Sequence, residues 1–379
     1  MEEGKDPATA NRSGRFITWR FLQYLLLFLV LGLGISIISM NTLRYLGPQN
    51  QNTITPLHRS NSIIWSTEPS GLESWISPPK NLLHNMIDAE LLWRASFVPQ
   101  IMTYPYRRVP KIAFMFLTKG PLPLAPLWER FFKGNEKLFS IYIHSLPSYV
   151  ADFPQASPFY KRQIPSQVAE WGMMSMCDAE RRLLANALLD LSNEWFILLS
   201  ESCIPVQNFS TVYRYISQSR HSFMGSFDED GPYGRGRYNP YMAPEVNLTE
   251  WRKGSQWFEV NRELAVAIIR DSKYYPKFKR FCRPACYVDE HYFPTMLSIH
   301  YPDLMANRTL TWVDWSRGGA HPATFGQYDI TKEFLKKILK SNCTYNDHTT
   351  TQCFLFARKF SHSSLEPLLA LAAPVLGIH

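Results

Sequence analysis

Three short apolar runs, separated by segments with helical spacing, constrain the fold of this chain more than any other feature. The runs are KIAFMFL at 111–117, FSIYIH at 139–144 and WFILLS at 195–200. Each has the length of a strand and ends at polar or turn-forming residues, which predicts strands buried on both faces. Strands that alternate with helices form mainly parallel sheets covered on both sides, so we predict an α/β fold.

The other predicted elements follow from apolar spacing. Helices are predicted at 88–94, 127–132, 176–191, 211–217 and 262–271, and further strands at 222–227 and 255–260. In the longest helix, four charged residues fall largely off the apolar stripe: Asp178, Glu180, Arg181 and Arg182. Parallel sheets bind ligands at the carboxyl ends of their strands. We therefore expect the loops after Leu117, His144 and Ser200 to form one mouth.

The N-terminal region has the pattern of a membrane anchor. Residues 21–40 contain no charged side chain, and one helix of that length can cross a bilayer. A cleaved signal peptide is the alternative, but its apolar core is usually shorter and no clear cleavage site follows. The preceding basic residues predict a cytosolic tail at 1–20 and type II single-pass topology. Residues 41–83, rich in Asn, Ser, Thr and Pro, are interpreted as a lumenal stem before a folded domain at 84–379.

Composition narrows the class of protein. The chain is 45% hydrophobic and 14% aromatic, enough to fill a core. Its net charge of +8 is spread without a dense basic run, so nucleic-acid binding is not indicated, while scattered cations suit an anionic ligand. Six cysteines fit an oxidising compartment. Glycosylation sequons on the predicted lumenal side agree with that compartment: Asn208, Asn247, Asn307 and Asn342. A sequon at Asn11, in the predicted cytosolic tail, is expected to stay unmodified.

Two adjacent carboxylates, Asp289 and Glu290, are the leading candidates for chemistry. They lie in YVDEHYFPTML, after a strand-like start and before an apolar segment interrupted by Pro294. One interpretation makes Glu290 a general base facing a cleft. The other makes both residues the acidic first turn of a helix, which the helix dipole favours.

A metal site is not predicted. Asp228-Glu229-Asp230 has the DxD spacing of many nucleotide-sugar transferases, but Gly231-Pro232 marks it as a turn. The position where such a motif is expected, after Ser200, reads Glu201-Ser202-Cys203. Cations would then have to stabilise a departing diphosphate, and the candidates are Arg317, Arg358 and Lys359. Each could equally be a solvated surface cation.

The cysteines leave alternatives open. Cys343 and Cys353 bracket a short polar turn, where a disulfide would close a small loop before FLFARKF. A zinc pair is the other interpretation, although no second Cys/His pair at ligand spacing supports it. Cys282 and Cys286 are free or paired.

The chain resembles the plant branch of the core-2/I-branching β-1,6-N-acetylglucosaminyltransferase family, glycosyltransferase family 14. The resemblance covers about 88–371 and rests on KIAFMFLTKGPLPLAPLWERFF, FSIYIHSLPSY, WFILLSESCIPV, GSQWFEVNREL, VDEHYFPTML, TWVDWSRGGAHPATF and CFLFARKF. It implies a GT-A-like nucleotide-sugar fold, Golgi residence, inversion at the anomeric carbon and no metal or other cofactor. It also implies that Glu290 is the catalytic base, that Lys359 contacts the diphosphate of a UDP-sugar donor and that His144 lines the nucleotide site.

Two departures from the family pattern bear on the donor. Ser145 stands where animal members have Asp, and no Arg lies between Cys343 and Cys353, only His348. Arg317 or Arg358 is expected to substitute for that Arg. The resemblance implies N-acetylglucosamine as the sugar, with glucuronic acid or xylose as alternatives.

Further residues are assigned to the donor and acceptor sites, and a non-enzymatic function is the alternative. Glu201 is assigned to the donor site, and Trp257, Tyr233 and Tyr241 to walls around a glycan acceptor. The alternative to an enzyme is a non-catalytic lumenal protein that binds a glycan or a partner through a transferase fold.

Overall fold

The structure is a computed structural model. It describes residues 23–29, 31, 71–72, 76–79, 81–99, 101, 103–283 and 286–379. The chain divides into two units, 1–66 and 67–379, and in the first the described residues are helical. The predicted cytosolic tail, most of the predicted anchor and much of the predicted stem lie outside the described residues. Within the described part, no helix has the length and apolar character needed to span a bilayer.

The second unit contains alternating helices and strands. Its helices are α1 (Asp88–Ala95), α2 (Ala125–Phe132), α3 (Met174–Leu188), α4 (Phe209–Ser217), α5 (Arg262–Arg270), α6 (Tyr274–Phe281), α7 (Val288–His300), α8 (Lys332–Leu339) and α9 (Leu365–Leu371). Its strands are β1 (Lys111–Leu117), β2 (Phe139–His144), β3 (Asn193–Ser200), β4 (Ile204–Pro205), β5 (Glu259–Asn261), β6 (Thr311–Val313), β7 (Cys343–Tyr345), β8 (His348–Thr350) and β9 (Phe356–Arg358). Short 3-10 turns lie at Arg235–Arg237, Pro240–Met242, Pro302–Leu304, Gln327–Asp329 and His362–Ser364.

The central sheet confirms the predicted mainly parallel α/β architecture. Its strand order is β2-β1-β3-β5. β1 runs parallel to both neighbours, with Leu117 opposite His144 on one side and Ser200 on the other. β5 is the antiparallel edge. The carboxyl ends of the three predicted strands therefore meet at one edge of the sheet.

Alternating side chains of β1 build two apolar layers. Phe114 and Phe116 pack with Trp128 of α2 on one face. Met115 and its alternate neighbours face the other layer, which includes α3, α5 and α7. Both faces of the strand are covered, which explains why its sequence is continuously apolar rather than alternating.

A second sheet brings a distant segment to the same edge. Its order is β4-β9-β6, with β9 antiparallel to β4 and parallel to β6. The Phe360 N–H donates to the Ser202 carbonyl at 2.9 Å. These pairings fix the end of β9, with Arg358 and Lys359, beside the loop that follows β3.

Three charged residues of α3, Glu180, Arg181 and Arg182, are buried although they fall off its apolar stripe, whereas Asp178 is half-buried. Arg182 forms a two-point ion pair with Asp88 of α1, at 2.6 and 2.7 Å. Arg181 lies over the Tyr275 ring at 4.1 Å, and Glu180 accepts from Gln256 Nε2 at 2.9 Å. Neighbouring elements cover α3 on every side, so its polar face must find protein partners.

Of two strand predictions in the second half, one was wrong and the other was confirmed only at its end. Residues 222–227 form only isolated bridges, and the predicted strand at 255–260 is reduced to β5. The cause is a close approach of two backbone segments. A Cβ on Gly254 would overlap the carbonyl oxygen of Gly225, so the chain there passes through a tight crossing instead of a ladder.

Candidate functional site

A cavity of about 570 Å³ opens at the carboxyl ends of the parallel strands. Leu117, His144 and Ser200 line it, as the predicted mouth requires. Glu290, Arg358 and Lys359 also line it. The cavity thus combines a carboxylate with two cations at the sheet edge where ligands of parallel sheets bind.

Glu290 fits both interpretations that the sequence left open. It lies in the first turn of α7, which begins directly after Tyr287. Tyr287 is in the left-handed conformation at φ 55°, so the described residues directly before the helix, 286–287, are not a strand. Its side chain is also 27% exposed and faces the cavity. Oε2 lies 3.4 Å from Arg237 Nη1 and 3.8 Å from Lys253 Nζ. Two cations beside a partly open carboxylate can hold its side chain in one orientation.

The backbone of Glu290 is held by a contact that Pro294 makes possible. Pro294 has no N–H, so it leaves the carbonyl of Glu290 without the usual helical donor four residues later. The Gly254 N–H takes that place, donating to the Glu290 carbonyl at 2.8 Å. The crossing of Gly254 and Gly225 therefore anchors the turn that carries Glu290.

Arg358 and Lys359 form the positive wall. The Arg358 guanidinium lies 4.1 Å from the centre of the Trp257 ring, and Trp257 is buried. Burial lowers the pKa of Arg358, and burial together with the charge of Arg358 lowers the pKa of Lys359. Among the described residues neither cation has an ion-pair partner within 4.0 Å. The Glu201 carboxylate is a more distant negative charge. This wall suits a bound anion such as a diphosphate.

His144 lies at the end of β2 and is neutral. Burial, followed by the charge of Arg182, lowers the pKa of His144 to about 4. Its Nε2 lies 3.1 Å from Arg182 Nη1 and accepts from the Gln167 N–H at 3.3 Å. The ring proton must then be on Nδ1. Ser145 is buried beside it and accepts from Gln163 Nε2 at 2.7 Å.

Three predicted site residues do not line the cavity. Arg317 is exposed over Phe325, with 5.8 Å between its guanidinium and the ring centre. Tyr233 is 63% exposed and Tyr241 is 74% exposed, the latter stacked on Phe281. Of the predicted acceptor walls, only Trp257 reaches the cavity.

The loop that carries Tyr233 and Tyr241 also contains ion pairs of its own. Arg235 pairs with Asp228 at 2.7 Å and with Asp230 at 2.9 Å. The carboxylates of the DxD sequence are therefore engaged by a cation on their own loop.

Comparison with known proteins agrees with this geometry. The family profile of the core-2/I-branching enzymes matches residues 112–339. The chain belongs to the core-2/I-branching enzyme family. It is also 36% identical to glycosyltransferase BC10 of Oryza sativa subsp. japonica over 309 residues, which cover 69% of this chain and 76% of that protein. The predicted family is confirmed, and the protein is a glycosyltransferase of family 14.

Several cavity residues of this core-2/I-branching enzyme were not found from its sequence. Lys253 and Gln256 come from the irregular segment before β5, and Arg237 contacts Glu290 from the loop at 228–241. Exposed aromatic side chains also line the cavity: Trp171, Phe227 and Trp315. Gln256 and Trp315 lie in the motifs GSQWFEVNREL and TWVDWSRGGAHPATF, which could have marked them. The other residues reach the cavity from segments without such a motif.

The cysteines and sequons of the transferase take the following positions. Cys343 is bonded to Cys353 across the hairpin β7–β8, and Cys282 is bonded to Cys286. Asn247, Asn307 and Asn342 are exposed. Asn208 is half-buried at the start of α4, where its side-chain oxygen accepts from the Thr211 N–H at 2.9 Å. Asn11 lies outside the described residues.

Proposed function

We propose that this enzyme transfers a sugar from a UDP-sugar to a hydroxyl of a glycan, with inversion, without a metal and with Glu290 as general base. The observation that carries the proposal is the placement of Glu290, Arg358 and Lys359 around one cavity at the carboxyl ends of the parallel strands. A GT-A-like fold belongs to the same proposal. N-acetylglucosamine is the donated sugar that family membership favours, with glucuronic acid and xylose as alternatives.

The reaction needs one carboxylate. Glu290 accepts the proton of an acceptor hydroxyl as its oxygen attacks the anomeric carbon from the face opposite UDP. A positioned base of this kind contributes about 10²- to 10⁴-fold to the rate. UDP departs without being protonated, so the second carboxyl group that glycosidases use as an acid is not required.

Fixed cations absorb the charge that develops on the diphosphate. Lys359 and Arg358 are free of ion-pair partners among the described residues, and both face the cavity. Their charge is available to the leaving group, and their low solvation strengthens its effect. The pairing of Asp228 and Asp230 with Arg235 supports leaving that motif out of the donor site.

The remaining donor contacts follow the strand ends. His144 and Ser145 lie after β2, and Glu201 lies after β3, all on the cavity lining. They are the residues assigned to the nucleotide and sugar of the donor. The Trp257 ring packs against the Arg358 guanidinium. In this proposal Trp257 also contacts the acceptor sugar.

The location of the enzyme in the cell is part of the proposal. A signal-anchor at 21–40 with the basic flank before it supports a type II membrane protein with its catalytic domain in the Golgi lumen. The exposed sequon residues Asn247, Asn307 and Asn342 support the same side of the membrane.

The test is transfer by the purified full-length protein, with a panel of UDP-sugars and oligosaccharide acceptors in the presence of EDTA. Glu290→Gln is compared with Glu333→Gln, a matched control because Glu333 is an exposed glutamate in the first turn of α8. We expect EDTA-resistant transfer that falls about 10²-fold or more in Glu290→Gln and is unchanged in Glu333→Gln. Equal activity in both variants would exclude Glu290 as the base.

The non-catalytic binding protein that the sequence left as an alternative disagrees with membership of a glycosyltransferase family. Transfer that requires manganese would return Asp228 and Asp230 to the donor site as ligands.

A further inference from the structure

Two carboxyl groups near Glu290 are almost fully buried, although Asp289 also borders the cavity. Glu180 of α3 is 0% exposed, and Asp289 of α7 is 4% exposed. Glu180 Oε1 accepts from Gln256 Nε2 at 2.9 Å. Glu180 Oε2 and Asp289 Oδ1 are buried and have no hydrogen-bond partner among the described residues. Two ionised carboxylates in this position would each leave an unsatisfied charged oxygen, which costs several kcal/mol.

We propose that Glu180 and Asp289 share one proton and act as a positioning pair for the catalytic base, Glu290. Glu180 Oε2 carries the proton and donates it to Asp289 Oδ1, so each orphan oxygen becomes the partner of the other. One negative charge remains on the pair in place of two. This inference rests on the proposed role of Glu290.

The electrostatic environment agrees with a retained proton. Burial, followed by the charge of Asp289, raises the pKa of Glu180 well above its ordinary value. Burial, followed by the charge of Glu290, raises the pKa of Asp289 to about 7. Other charged or titratable groups that face the pair or adjoin it are Cys177, Asp178, Arg181 and Arg237. The burial of Cys177 raises the pKa of its thiol, so that neighbour is neutral.

The pair acts on Glu290 through the backbone of α7. Asp289 and Glu290 are consecutive residues in the first turn of that helix. A hydrogen bond from Glu180 fixes Asp289 against α3, while the Gly254 N–H fixes the Glu290 carbonyl from the opposite segment. The base is thus held from two sides, and loss of either contact allows it to move from the position in which it reaches the acceptor.

Two substitutions at Glu180 separate a shared proton from simple packing. Glu180→Gln keeps the shape and supplies an amide N–H to Asp289, whereas Glu180→Leu removes the donor. We expect Glu180→Leu to lower kcat about tenfold with little change in KM for the donor, because Asp289 loses its donor and the turn that carries Glu290 is held less firmly. Glu180→Gln should retain most of kcat. Melting temperatures establish that both variants are folded.

The proton itself is observed by infrared spectroscopy of the full-length protein. Glu259 is another buried carboxyl group, with a pKa raised to about 8, so the measurement uses a Glu259→Gln background. At about pH 8, above the pKa of about 7 of Asp289, we expect a protonated-carboxyl band that Glu180→Gln removes.

Two results would overturn the shared proton and its positioning role. One is a band that persists in Glu180→Gln, and the other is full kcat in Glu180→Leu. Retained transfer in Glu290→Gln would instead refute the proposed base, whatever the infrared result.

Discussion

Arg237 Nη1 lies 3.4 Å from Glu290 Oε2, and the two residues are 53 positions apart in the chain. The guanidinium of Arg237 lies 4.2 Å from the centre of the Tyr287 ring. Tyr287 is the residue directly before α7. The cation is therefore fixed by an aromatic face next to the carboxylate that it holds. Lys253 approaches the same oxygen from another segment.

Removal of either cation is expected to weaken the orientation of Glu290 without abolishing catalysis. Both pairs are long and partly exposed, so Arg237→Gln and Lys253→Gln should each lower kcat by roughly two- to fivefold. The measurement is kcat at saturating donor and acceptor. Arg220→Gln is the control, because it removes an exposed ion pair with Asp347 at 3.3 Å that is remote from the cavity. An unchanged kcat in both cavity variants would contradict a role for these cations.

Substitution of Lys359 or Arg358 should act mainly on the donor. Hydrogen bonds to charged groups contribute about 1.5–3 kcal/mol, so Lys359→Gln is expected to lower kcat/KM for the UDP-sugar by roughly 10- to 100-fold. Arg358→Gln should also disturb Trp257, over which it lies at 4.1 Å. Calorimetric titration with UDP checks the binding component.

Lys336→Gln on the exposed face of α8 is the matched control for loss of a positive charge. UDP affinity that falls equally in the control and in Lys359→Gln would indicate a general effect of net charge rather than a donor site.

Gly254→Ala tests the crossing that anchors Glu290. The added Cβ would overlap the Gly225 carbonyl oxygen and lie 2.7 Å from Pro294 Cγ, so the two segments must separate. Overpacking of this kind costs typically about 1–3 kcal/mol. We expect a lower melting temperature and, because the Glu290 carbonyl loses its donor, a fall in kcat.

Gly120→Ala provides the comparison for that variant, since the nearest atom to its added Cβ is 3.7 Å away. It should leave the melting temperature almost unchanged. Equal stability of the two variants would show that the crossing tolerates a side chain.

Stability should decrease between mildly acidic and mildly basic pH. Burial raises the pKa of Glu259 from an ordinary value of 4.5 to about 8. Between these values the folded chain keeps a proton that the unfolded chain releases, so the free energy of unfolding falls as pH rises through this window.

Glu259→Gln mimics the protonated side chain and should reduce this pH dependence. Its carbonyl oxygen can still accept from the Leu310 N–H, which donates to Glu259 at 3.1 Å. Melting temperatures of the variant and the wild type at about pH 5 and pH 8 are the measurement. A residual slope is expected, because the pKa values of Glu180 and Asp289 are raised as well. An unchanged slope would contradict a protonated Glu259.

The sequence by itself determined the elements whose signal is local. The apolar runs of β1, β2 and β3 were recognisable because strands buried on both faces must be continuously apolar. The meeting of Leu117, His144 and Ser200 followed from the geometry of parallel sheets. Family motifs also marked Glu290 and Lys359, which lie on the cavity. The roles of these two residues remain predictions.

Only the tertiary structure decided which partners surround those residues. Arg237 and Lys253 reach Glu290 from irregular loops, while Tyr241 and Arg317 turn away from the cavity. The burial of Glu180 depends on how neighbouring elements cover α3, which the spacing within one helix does not record. The spacing of apolar residues along a helix or strand indicates which face of that element is buried. Contacts between distant irregular segments have no such local signal, because they depend on the path of the whole chain.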